Sequence, residues 1–409
     1  MKKFLSFLVA VSAMVSLTAM AADSEVSNYL DSALSILPNQ LSLNLFEEIG
    51  HTNNAYKASG DRKSAFYFKT GIAPAILREN GNLTYGLKGR FAYDYYTRFG
   101  GDLNQFNWNL TPTISYKDDG EGLIRDVTLG LNSVARVDAL NNRNNSFART
   151  YTTTARAGAD LAFTEKVGVL VNGKFIYDYY SQKAFKDFTS KTYGVDVTPY
   201  FQVTEKTRAG VRFGYELVDY TNSRVYDDYT RYVVNALLDY HTEKFSVTAE
   251  AGVEHMNFDG VTGHVAMYDG DWGVNGSLQV KYRPVDNFET GLVLSSSHEN
   301  SSVNDSNDRI QNKVTLNAKW TATSHIVLIG RVGIDDNDEK HSYGKYEDGV
   351  RTIKPGDNRE FSASVEADYI FNKNLSVYLG YKYRNVQFRY DSSLDYSLTE
   401  YFLGCRYSF

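Results

Sequence analysis

From residue 41 onward, apolar and polar positions alternate with a period of two, in one run after another. Across residues 207–220, Ala209, Val211, Phe213, Tyr215 and Leu217 fall on one side. Arg208, Gly210, Arg212, Gly214 and Glu216 fall on the other. Residues 361–371 place Phe361, Ala363, Val365, Ala367, Tyr369 and Phe371 opposite Ser362, Ser364, Glu366 and Asp368. Residues 375–383, 83–95 and 310–322 repeat the pattern. Side chains of a strand point alternately to its two faces, so each run predicts a strand with one apolar and one polar face.

The connections between runs come in two alternating kinds. Short ones lie at residues 79–82, 117–122, 164–166, 204–206, 241–244, 285–287, 323–324 and 372–374, and Thr-Glu-Lys recurs in three of them. Longer polar ones surround Asn53, Gly101, Asn142, Phe185, Asn222, Gly260, Asn304, Gly344 and Ser392. Short turns at one end and longer loops at the other is the asymmetry of bacterial transmembrane barrels. The runs number about 18 (16–18), an even count as such barrels require. Each is about 10–15 residues long, enough for a tilted membrane-crossing strand, where soluble strands run about 5–6. The expected fold is therefore all-β: a transmembrane, antiparallel, up-and-down β-barrel occupying residues 40–409 as one domain.

The first residues differ. Lys2 and Lys3 precede an apolar run from Phe4 to Val15, followed by Ala19-Met20-Ala21, a small-x-small cleavage pattern. Residues 1–21 are thus expected to be a secretory signal peptide. Residues 22–39, ending at Pro38, are expected to form a short periplasmic segment, either a helix over residues 27–37 or a leader.

Composition changes the picture in three respects. Mean hydropathy is −0.40, which for a barrel is no argument against a membrane, because lipid-facing and lumen-facing residues average out. Aromatics make up 14%, led by 32 Tyr, while Pro is scarce at 6; Tyr suits both strands and membrane interfaces. The net charge of −6 lacks the basic footprint of a nucleic-acid binder. The single cysteine, Cys405, cannot form an internal disulfide.

Alternation assigns the charged side chains. An ionised group on the lipid face at mid-membrane costs roughly 2–4 kcal/mol, so charges are expected inside. The candidates for lining a pore are Lys88, Arg90, Asp94, Arg208, Arg212, Glu216, Arg309, Lys313, Lys319, Arg331, Glu360, Glu366, Asp368 and Lys382. The basic stripe Arg309, Lys313, Lys319 and Arg331 lies beside the acidic Glu360, Glu366 and Asp368. Such charges either orient polar solutes or pair across strands and solvate the interior. The seven histidines form no H-x-x-x-H pair, and no catalytic motif is present. No enzyme activity, metal or cofactor is expected. Acidic stretches at residues 304–308 and 335–339 have alternating oxygen ligands, and are expected to be solvated loops rather than calcium loops.

The final run has its own signature. Tyr401, Leu403, Cys405, Tyr407 and Phe409 alternate on one face, with Glu400, Gly404, Arg406 and Ser408 opposite. This resembles the C-terminal signal of outer-membrane proteins, which implies that Tyr401, Leu403, Tyr407 and Phe409 are recognised by the barrel assembly machinery. The region from Leu43 to about Tyr116 resembles the β-barrel porin 2 group of Gram-negative bacteria. That resemblance rests on a first strand ending in Gly50-His51-Thr52-Asn53-Asn54, a polar gap, and residues 66–75 with Gly71. Tyr-rich strands such as Tyr93-Asp94-Tyr95-Tyr96 and Tyr177-Asp178-Tyr179-Tyr180 continue the style. It implies an outer-membrane barrel embedded among lipid and lipopolysaccharide.

Three functions follow as expectations. The first is a porin-like channel for passive diffusion of small hydrophilic solutes, since 16–18 strands leave an aqueous lumen. The second is an exit pore for an exopolysaccharide, with Tyr180, Tyr200 and Tyr378 as stacking platforms. The third is a structural or enzymatic barrel with a closed interior.

Overall fold

The computed structural model describes residues 40–57, 62–118, 122–141, 146–181, 183–221, 228–259, 271–300, 306–342, 346–347, 350–351, 357–389 and 392–409. The predicted signal peptide and the segment to residue 39 lie outside them.

Eighteen long strands follow one another in the order of the chain. They are β1 (Gln40–Thr52), β2 (Ala65–Asn80), β3 (Leu83–Tyr96), β4 (Gln105–Lys117), β5 (Ile124–Asn141) and β6 (Ser146–Ala162). Next come β7 (Val167–Tyr180), β8 (Ser190–Thr204), β9 (Thr207–Tyr220), β10 (Asp228–His241), β11 (Phe245–Asp259) and β12 (Asp271–Val285). The set ends with β13 (Phe288–Asn300), β14 (Ser306–Thr321), β15 (Ile326–Ser342), β18 (Asn358–Ile370), β19 (Leu375–Phe388) and β20 (Tyr396–Ser408). Two very short strands, β16 (Tyr346–Glu347) and β17 (Val350–Arg351), pair with each other in the connection after β15. Every long strand is antiparallel to its neighbours, and β1 pairs with β20, so the sheet closes. Closure leaves no free sheet edge of the kind that an open sheet must protect.

The short turns are built by the residue types that recur in them. The Thr164 hydroxyl accepts the N–H groups of Lys166 and Val167 at 3.2 and 2.9 Å. In the two other Thr-Glu-Lys turns, Thr204 accepts from Lys206 at 3.2 Å and Thr242 from Phe245 at 2.9 Å. Thr323 and Asn372 do the same in later turns. Such side chains satisfy backbone donors that a tight turn leaves open. Proline acts on the ladders in the opposite sense, since it has no N–H to donate. Pro74, Pro112 and Pro199 each pair with the preceding strand. Each coincides with a gap in the ladder to the following one.

The faces follow the alternation. Outward positions such as Val211, Phe213, Tyr215, Leu316, Val365, Leu379 and Leu403 are exposed and apolar on strand after strand. A closed barrel with such an exterior is suited to lipid, where every backbone polar group must be satisfied within the sheet. Among the described residues no helix is long and apolar enough to cross a membrane, which says nothing of strands.

Two expectations are corrected. Residues 335–339 are not a loop but lie within β15, and residues 306–308 begin β14. Successive residues of a strand face opposite sides, so Asp335 and Asp336 point away from each other instead of converging on one point. Residues 304 and 305 lie outside the described residues.

Candidate functional site

All fourteen charged candidates fall on the side of their strands opposite the exposed apolar positions. Lys88, Arg90 and Asp94 project from β3, and Arg208, Arg212 and Glu216 from β9. Arg309, Lys313 and Lys319 project from β14, Arg331 from β15, Glu360, Glu366 and Asp368 from β18, and Lys382 from β19.

Many of them pair along the wall. Arg212 reaches Asp196 at 3.0 Å and Glu250 at 2.8 Å. Arg208 lies 3.3 Å from Asp239 and 3.8 Å from Asp160, and Glu216 pairs with Lys174. Glu360 takes Arg384 at 2.6 Å. Arg406 holds both Glu366 at 2.8 Å and Asp368 at 2.9 Å. Neighbouring strands supply the partners because inward side chains on adjacent strands stand side by side.

A second set of cations has no such partner. Among the described residues, no carboxylate lies within 4.0 Å of Lys88, Arg90, Lys319, Arg331 or Lys382. Arg90 instead lies over the Phe46 ring at 4.4 Å, and Lys382 over Phe402 at 5.1 Å. On β4–β6, Asn107, Asn109, Thr111, Thr113, Thr128, Thr152 and Thr154 share the inward phase with the charged Asp126, Arg156 and Asp160.

Of the three aromatic side chains expected to offer stacking surfaces, two are covered. Tyr378 is 3% exposed and Tyr200 5%. Tyr378 lies flat against Gly404, is capped by the Arg406 guanidinium at 3.9 Å, and its hydroxyl donates to Glu48 at 3.1 Å. Tyr200 lies against Gly168 and donates to Asp160 at 2.6 Å. Tyr180, half-buried, packs on Phe188 at 5.5 Å. Alternation identifies the side of the wall a ring is on, but not that it lies along the wall over a glycine of the next strand.

Among the inward residues that escaped the sequence reading are Arg384, the partner of Glu360, and Glu48 and Lys69, which pair at 3.6 Å. The signal was Glu47-Glu48, since adjacent residues of a strand must face opposite sides. Glu47 consequently faces outward among Leu45 and Ile49, and accepts the Thr70 hydroxyl at 3.5 Å. Tyr401, Leu403, Tyr407 and Phe409 form an exposed outward stripe along β20 and the residue after it, and Cys405 shares that side.

No protein-family model matches the chain, and no curated protein matches it. Solved structures of similar shape include OpdL of Pseudomonas aeruginosa, at 10% identity over 90% of this chain and 98% of that one, with a TM-score of 0.45. The outer membrane protein opdK of the same organism is 11% identical over 91% and 100% of the two chains, with a TM-score of 0.45. The FrpB iron transporter from Neisseria meningitidis is 9% identical over 91% and 82%, with a TM-score of 0.42.

Proposed function

We propose that this chain is a porin-like channel of the bacterial outer membrane, through which small hydrophilic solutes diffuse passively. One observation carries the proposal: a closed 18-stranded barrel whose exterior is apolar and whose interior is charged. Barrels of 16–18 strands enclose an aqueous channel. Lumenal cations without a carboxylate partner need water, because an unpaired charge is costly to desolvate.

In this reading Arg331, Lys319, Lys88, Arg90 and Lys382 meet the solute, while the paired charges around Arg212 and Arg406 shape and stiffen the wall. The outward stripe of β20 is the proposed contact for the assembly machinery, and lipid and lipopolysaccharide surround the exterior. The covered rings of Tyr200 and Tyr378 count against a polysaccharide conduit built on aromatic stacking. Proteoliposomes of the refolded barrel placed in an iso-osmotic monosaccharide test the reading. Swelling supports it, and vesicles that keep their size oppose it.

A further inference from the structure

The pairing of β12 with β13 stops before either strand ends. β12 and β13 share a ladder only as far as Gly276 opposite Ser296. Beyond that level β12 stays paired with β11, up to Asp271 opposite Met256. β13 stays paired with β14, up to Asn300 opposite Asp308. The two strands have therefore parted at the end that carries the long loops.

The direction of the parting is given by Gly273. Its neighbours Trp272 and Val274 point outward, at 69% and 78% exposure, so Gly273 presents its other side to the lumen. The His298 ring of β13 lies there: a Cβ on Gly273 would stand 2.6 Å from its Cε1 and Nδ1. His298 is buried. The end of β13 has stepped to the lumen side of β12.

Glu254 holds it there. Glu254 is directly opposite Gly273 on β11 and fully buried. Its carboxylate accepts the His298 backbone N–H at 2.8 Å and the Arg231 Nε–H at 2.8 Å. A buried carboxylate persists only where a cation and hydrogen bonds compensate its desolvation. Here one of those bonds goes to the backbone of the displaced strand. Met256, the next inward residue of β11, joins Val218, Tyr220 and Tyr229 in an apolar cluster, so the wall beside the step is solidly packed.

We infer that the end of β13, positioned by Glu254, sets the aperture of the lumen at the long-loop end, and with it the size of solute that passes. This rests on the channel reading above. The test pairs two measurements on the refolded barrel: amide exchange at His298, and swelling of proteoliposomes in a series of neutral sugars of increasing length. Glu254→Ala removes the acceptor, so the His298 amide exchanges faster and the size limit rises by about one sugar unit. Glu254→Gln keeps an oxygen for the His298 N–H and retains the parental limit. Gly273→Ala leaves the ion pair intact, pushes the His298 ring further inward and lowers the limit. A parent that admits sugars, with a limit unmoved by Glu254→Ala and Gly273→Ala, overturns the inference and leaves the channel standing. A parent that admits no sugar, although its His298 amide is protected, overturns the channel and the aperture together.

Discussion

Phe402 of β20 lies flat across Gly380 of β19, so closely that a Cβ at residue 380 would overlap the ring. The same relationship recurs around the closure of the barrel. Tyr378 lies on Gly404, Tyr67 on Gly50 and Phe46 on Gly71. Each ring fills the space that an absent side chain leaves on the next strand, so large inward aromatics become part of the wall.

This arrangement makes the glycines essential to packing. Gly380→Leu and Gly404→Leu displace Phe402 and Tyr378, and overpacking of this kind costs about 1–3 kcal/mol. The loss is read as a lower midpoint of chemical unfolding for the refolded barrel in bilayers. Gly330→Ala is the control, since no heavy atom lies within 4 Å of a Cβ there; its midpoint stays at the parental value.

Arg406 neutralises two carboxylates at once, Glu366 and Asp368, both nearly buried. Arg406→Met strands them, and breaking a buried pair from one side costs about 3–5 kcal/mol. Unfolding should show that loss, with part of it recovered in the triple variant that also carries Glu366→Gln and Asp368→Asn. Equal stability of the single and triple variants would show that the carboxylates do not depend on Arg406.

Glu47 is an ionisable group on the outward side of β1, with Leu45 and Ile49 beside it. Beyond its bond from Thr70, nothing in the structure explains its presence. Glu47→Leu should raise stability by about 1–2 kcal/mol, since acidic groups on the lipid face cost less than basic ones but still cost. An unchanged or lower unfolding midpoint would mean that this side of β1 does not face hydrocarbon.

Arg331 stands opposite Asn317 and Ser364 on its two neighbouring strands. If it meets the permeating solute, Arg331→Glu shifts the reversal potential in a salt gradient toward cation preference, and Arg331→Gln shifts it less. Identical reversal potentials for all three would remove Arg331 from the conduction path.

The alternation of residues such as Val211, Phe213 and Tyr215 with Arg208, Arg212 and Glu216 was enough to give the strands, their faces and their number. A period of two survives any error in strand ends. The turns were legible for a local reason too, since Thr164, Thr204 and Thr242 cap their own turns. What alternation cannot supply is register between strands. That Tyr378 falls opposite Gly404, or that the carboxylate of Glu254 meets the backbone of His298 on β13, depends on residues far apart in the chain coming level. Residues 335–339 read as a loop because five successive polar side chains mask the alternation of a strand that continues beyond the apolar belt.

The central claim is that the closed, charged-lined barrel conducts. Planar-bilayer recording of the refolded protein tests it most directly. The account predicts stepwise current increments that persist at low voltage and scale linearly with it, each step marking one inserted barrel. Insertion confirmed in the bilayer, with no current above that of the bare membrane, would contradict it.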